Sequence, residues 1–125
     1  MVTARRLGMM GQTPDKAAPL IPKPELILPA LRAAVAQLAP GRLPEMFEKM
    51  QAAFVRAGEE GSVVPIHMFY REWAVVVEIE RHPHTARRLH AAEQALMSDD
   101  AQVRDAAIRE AGEIVRSAHH AVTGE

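Results

Sequence analysis

The stretch that decides the fold is Phe69–Arg81, FYREWAVVVEIER. It holds the chain's one Trp and one Tyr in its densest apolar run, which begins after Pro65 and stops at Pro83. The interval between those prolines corresponds to roughly five turns of α-helix at 3.6 residues per turn. At helical spacing Ile66, Phe69, Tyr70, Trp73, Val76 and Val77 share one broad face, Arg71, Glu72 and Glu78 fall away from it, and Arg81 lies near its edge. Val75 and Ile79 are left on the far side. A helix that is apolar in two directions is buried on two sides, inside the domain or against a partner. The run Ala74–Ile79 also suits a strand, because it is rich in β-branched residues and short apolar runs are not assigned by periodicity alone. The flanks favour helix: no Gly, Asn or Asp interrupts 65–83, and no hairpin turn stands on either side.

Outward from this helix, prolines become punctuation. Pro24, Pro44, Pro65 and Pro83 each stand where a helical pattern begins, at the position where a missing N–H does no harm. A first helix is predicted from Pro24 or Pro29 to Leu38, with Leu28, Leu31, Val35 and Leu38 in one stripe. After the break at Pro40-Gly41, a second runs from Leu43 to Ala57, with Leu43, Phe47, Met50, Phe54 and Ala57 inward and Gly58 and Gly61 bracketing its end. The fourth starts near Pro83 and carries Ala86, Leu89, Ala92 and Leu96 inward. It ends around Ser98-Asp99-Asp100, whose oxygens and charge suit the start of a fifth helix. That last helix reaches His120, with Val103, Ala107, Ile108, Ala111, Ile114, Val115 and Ala118 along its stripe, and His119 and His120 suit its negative pole. Before Pro24 the prolines and glycines are dense and no stripe forms, so residues 1–23 are expected to be a disordered tail, with docking of Leu20 and Ile21 on the body the less favoured alternative. The expected fold class is all-α, a compact bundle of four to five helices forming a single domain over 24–122.

Composition narrows the function classes. The chain has 125 residues, enough for one domain with a real core. A formal charge of −1 with 25% charged residues gives no bulk argument for nucleic acid or an anionic membrane. Cysteine is absent, which excludes disulfides, thiol catalysis and every Cys-containing zinc site. No apolar stretch approaches the roughly 20 residues of a membrane span. Arg5 and Arg6 are not followed by the apolar region of a secretory signal, so a cytoplasmic protein is expected.

Several segments together carry a resemblance. They are ALRAAV at Ala30–Val35, the turn from Pro40 to Pro44, Phe47 and Phe54, Pro65-Ile66-His67 with Phe69 and Trp73, and Arg81-His82-Pro83 leading to Ala86-Arg87-Arg88-Leu89. Over about residues 24–97 the chain resembles a group of short actinobacterial proteins of unassigned function, predicted helical, with a Pro-x-His…Trp helix. The resemblance implies a helical fold. Through relatives encoded beside small toxin-like proteins, it also implies an antitoxin-like partner role. It implies no catalytic residues.

Chemistry-bearing residues are sparse. His82 and His84 flank Pro83, with Glu78 and Glu80 before them and His90 after. Imidazole and carboxylate suit divalent metals, but roughly three or four converging ligands are needed and no metal-binding spacing is present. His67, in the first turn of the central helix, has no nucleophile arranged beside it, because Ser62, Ser98 and Ser117 lie in no strand–turn–helix elbow. No phosphate loop or dinucleotide fingerprint occurs. The expectation is therefore a non-enzymatic protein with no catalytic, cofactor or metal residues, binding a protein partner or a second copy of itself through apolar helix surface at Met68, Tyr70, Val75 and Ile79. The alternative is a nucleic-acid-associated regulator with Arg81, Arg87 and Arg88 on phosphates. A small metal-dependent enzyme using Glu78, His82 and His84 is the third reading.

Overall fold

A computed structural model describes residues 18–124 of the chain. Among the described residues five helices follow one another with short connections: α1 (Leu28–Leu38), a single 3-10 turn (Pro40–Arg42), α2 (Leu43–Glu60), α3 (Val64–Glu80), α4 (Pro83–Ala95) and α5 (Ala101–Thr123). No strand occurs among the described residues, so Ala74–Ile79 is helical and the fold is all-α.

Local chemistry sets most of the boundaries. Pro29, Pro44, Pro65 and Pro83 stand in the first turn of α1, α2, α3 and α4. Pro24 opens no helix and lies in irregular chain ahead of Leu28. α5 starts on Asp100, whose carboxylate accepts from the Gln102 N–H at 2.9 Å, a cap that stabilises a helix by about 1 kcal/mol. α2 runs one turn past the expected Ala57. Gly58 is helical, and Gly61 ends the helix at φ 64°, a left-handed conformation open to glycine at little cost.

α3 lies at the centre and is buried on two sides within the domain. Its Phe69, Trp73, Ala74 and Val77 pack with Leu31, Ala34 and Val35 of α1 and Met46 and Ala53 of α2. On the other side Val75 and Ile79 pack with Ala86 of α4 and Ile114 and Ala118 of α5. The inward stripe of α2 is turned from the expected one: Met46 and Ala53 are buried, whereas Phe47 and Phe54 are 44% and 52% exposed. Both stripes share Met50 and Ala57, and the neighbouring helix decides between them. Phe69 and Trp73 already fill the interval, so α2 approaches on small Ala53 and leaves its phenylalanines outside. On α5 Val103 and Ile108 are likewise exposed, as is Leu96 just past the end of α4.

The segment before α1 departs from the expected tail. The Leu20 N–H donates to the Arg81 carbonyl (2.7 Å), Arg81 Nη1 donates to the Ile21 carbonyl (3.1 Å), and Lys23 Nζ donates to the Ala121 carbonyl (2.6 Å). Ile21 packs against the first core cluster. Residues 20–23 thus belong to the folded body, because α3 and α5 end side by side and offer carbonyls to pair with. The disorder expected for residues 1–17 lies outside the described residues.

Candidate functional site

The residues expected to face a partner fall into three environments. Val75 and Ile79 are only 6% and 5% exposed, because the α4–α5 pair folds back onto that side of α3. They are core, which corrects their reading as a free partner face. Met68 is 57% exposed. Tyr70 is half-buried, its ring centroid 6.0 Å from that of Phe69 on the first-cluster side.

Burial of Val75 and Ile79 is not closure. α2 packs along one flank of α3 and α4–α5 along the other, leaving between them an open groove of about 740 Å³. Phe69, Val75, Val76 and Ile79 line it from α3, and Leu89 of α4 and Val115 of α5 form the far wall. Met68 also borders it, so Met68, Val75 and Ile79 are brought together there, whereas Tyr70 lies outside. Four cations line the groove, Arg42, Lys49, Arg56 and Arg71, with two carboxylates, Glu72 and Glu80, and the imidazole of His119. Arg42 is held by Glu45 at 3.1 Å, Arg56 by Glu60 at 3.2 Å, and Glu80 by His90 at 3.1 Å. Arg42 keeps the Glu45 carboxyl below its ordinary pKa by hydrogen bonding to it. Lys49 and Arg71 have no ion pair among the described residues.

Of the three arginines in the basic segment, Arg81 is taken up in the fold while Arg87 and Arg88 stay at the surface. The Arg81 side chain is 13% exposed and bonded to Glu78 (2.9 Å) and the Ile21 carbonyl, so it is a structural tie and not a phosphate contact. Arg88 reaches across to α5, with Nε 2.8 Å from Glu110 and Nη2 3.9 Å from Glu113. That hydrogen bond raises the Arg88 pKa and lowers that of Glu110. Arg87 is exposed on α4. The histidines divide in the same way. His82 lies 3.3 Å from Glu78, which also holds Arg81, while His84 and His67 are exposed. Among the described residues no three His, Cys, Asp or Glu side chains come together to hold a metal ion.

A second surface went unread in the sequence. Pro44, Phe47, Gln51, Phe54 and Gly58, all exposed, run down the outer side of α2 in alternating steps of three and four and carry no charge. Its signal is the 3-4 spacing itself, which is masked because the same spacing places Phe47 and Phe54 on the predicted inward stripe. No described helix is long and apolar enough to cross a membrane. No family model matches the sequence and no curated protein or solved structure is significantly similar to it.

Proposed function

We propose that the protein is a non-enzymatic interaction module that pairs with a second copy of itself through the outer side of α2. The observation that carries this reading is the uncharged strip of Pro44, Phe47, Gln51, Phe54 and Gly58, with two half-exposed phenylalanine rings one heptad apart. Alternating steps of three and four are the spacing of a two-helix seam. The strip is also self-complementary. In an antiparallel pair centred on Gln51, Pro44 of one copy meets Gly58 of the other and Phe47 lies within one residue of level with Phe54, each twice by symmetry. Gly58 offers open space, since a Cβ built there would meet nothing within 4 Å. Gln51 meets its own symmetry mate, and an amide both donates and accepts. None of the five strip residues is charged, so the centre of the seam would bury no ion. Engagement of Arg81 by Glu78 and the Ile21 carbonyl withdraws one of the three arginines on which a nucleic-acid regulator would rest, which is why self-pairing is preferred.

The test is light scattering of the purified chain over a wide concentration range, beside Phe47→Glu and Phe54→Glu. Wild type is expected to form a concentration-dependent dimer, and both variants to be monomers of unchanged helicity by circular dichroism. A wild type that stays monomeric, or variants that keep the dimer mass, would overturn self-pairing. A monomer would direct attention to a partner of another sequence, as the resemblance to toxin-neighbouring proteins implies.

A further inference from the structure

We propose that residues 20–23 form a latch that holds α5, and with it α4, closed on α3. The latch governs when the second apolar cluster opens, that of Val75 and Ile79 with Ala86, Ile114 and Ala118. None of residues 20–23 belongs to the outer strip of α2, and the proposal does not depend on self-pairing.

The strap has an anchor and a hook. The anchor lies at the end of α3, where the Leu20 N–H donates to the Arg81 carbonyl at 2.7 Å and Arg81 Nη1 donates to the Ile21 carbonyl at 3.1 Å. Ile21 adds its side chain to the first cluster. The hook is Lys23, whose Nζ donates at 2.6 Å to the Ala121 carbonyl, 98 residues away along the chain. That carbonyl belongs to the last turn of α5, the negative pole of the helix, which favours a cation.

The strap is held on α5 more by this bond than by packing. A gap of about 210 Å³ is lined by Lys23, Pro24 and Leu26 together with Ala74, Glu78 and Val122, and Leu20 and Leu26 are exposed. The hold on α5 is thus an exposed polar bond beside unfilled space. Such a bond exchanges for water at small net cost, whereas a packed apolar side chain does not. Pro19, Pro22 and Pro24 fix φ along the strap, so it loses little chain entropy on closing.

What the hook controls follows from its neighbour. Val122, one residue beyond the hooked carbonyl, packs against both clusters, so holding Ala121 holds the end of α5 against α3. Of the three residues that meet Val75 and Ile79 in the second cluster, two are alanines, which bury little apolar area. A single exposed bond is then a sizeable share of what keeps this cluster shut. The first cluster is different, because α1 separates from α3 without breaking the Lys23–Ala121 bond.

The test uses the full chain, which has no cysteine, with one reporter thiol placed in each cluster. Ala86→Cys and Ala34→Cys put a buried thiol in the second and the first cluster, and the rate of its reaction with a thiol reagent reports opening. Adding Lys23→Met should raise labelling at Ala86→Cys about three- to fivefold, the contribution of one exposed charge-assisted hydrogen bond. Labelling at Ala34→Cys should not change, and Lys23→Arg, which keeps the cation and the donor, should match Lys23 at both reporters. Circular dichroism checks that each reporter folds, and Ala118→Cys is a second reporter of the same cluster. Unchanged labelling in the second cluster would overturn the latch. Equal acceleration in both clusters would overturn it too, since the strap would then stabilise the whole fold alike. Acceleration at Ala118→Cys without Ala86→Cys would also overturn it, by reducing the bond to a cap on the last turn of α5.

Discussion

The guanidinium of Arg42 lies 5.0 Å from the centroid of the Trp73 ring. Arg42 closes the 3-10 turn between α1 and α2 and holds Glu45 with two hydrogen bonds, at 3.1 and 3.2 Å. One side chain therefore fixes the turn, the start of α2 and the cover of the largest core residue. Cation and ring attract through the negative face of the indole, and a partly exposed pair of this kind contributes about 0.5–1 kcal/mol.

Trp73 itself is expected to matter more. Trp73→Ala should cost about 3–5 kcal/mol, the range for emptying a large aromatic site. Trp73→Phe should cost clearly less, because the indole N–H is buried without a hydrogen-bond partner among the described residues and nothing polar is lost with it. Arg42→Ala should cost about 1 kcal/mol through the lost stacking. Urea unfolding followed by circular dichroism ranks the three. A Phe variant as unstable as the Ala variant would show that the indole N–H is satisfied in solution.

Truncation separates tail from body. Removing residues 1–17 should leave the melting temperature unchanged, since none of the contacts at Leu20, Ile21 and Lys23 is touched. Removing residues 1–23 strips Ile21 from the first cluster and leaves Arg81 without one acceptor. The expected loss is about 2–3 kcal/mol, from a partly buried aliphatic side chain and hydrogen bonds at about 1 kcal/mol each. For a domain near this size that corresponds to roughly 10 °C. Equal melting temperatures for the two truncations would mean that residues 20–23 contribute nothing.

The two glycines near the end of α2 should respond with opposite signs. Gly58 is helical with open space around it, so Gly58→Ala should stabilise the monomer by about 0.5–1 kcal/mol. Gly61 sits at φ 64°, and Gly61→Ala should cost about 1 kcal/mol. If the α2 seam forms, Gly58→Ala should also weaken the dimer while raising monomer stability, a split that thermal and mass measurements resolve together.

Acid should loosen the α4–α5 pair. The hydrogen bond from Arg88 holds the Glu110 carboxyl below its ordinary value of 4.5. A carboxylate whose pKa is depressed by folding stabilises the fold above its unfolded value and loses that contribution as pH falls through the folded one. Wild-type melting temperature should therefore fall more steeply below pH 4.5 than that of Arg88→Gln, and the difference should shrink at high salt because the pair is exposed. Parallel curves for the two proteins would show the bridge to be thermodynamically silent.

What the sequence disclosed follows the range of the interactions involved. Helix starts at Pro44, Pro65 and Pro83 and the cap at Asp100 were legible because a proline or an N-cap acts within its own turn. The double-sided burial of α3 was legible for the same reason, written into one continuous stretch. The rotation of α2 was not, since the choice between Met46 with Ala53 and Phe47 with Phe54 depends on the bulk of Trp73 across the interface. Arg88 reads as an available charge because its acceptor lies far along the chain, at Glu110. Arg81 does so because one of its two acceptors, the Ile21 carbonyl, is distant too, although the other, Glu78, is three residues away. The groove, too, needs Leu89 and Val115 to meet α3, which no local pattern announces.

Because α3 serves two hydrophobic clusters, the chain divides into a front half, α1 and α2, and a rear half, α4 and α5, that are joined largely through one shared helix. Such a layout gives two partial unfolding routes in place of one. The rear half, with its alanine-rich contacts at Ala86, Ala92, Ala107 and Ala118, buries little apolar area per residue and should open first. In amide hydrogen exchange α4 and α5 are then expected to lose protection together, ahead of α1 and α2, with α3 last because both halves must release it.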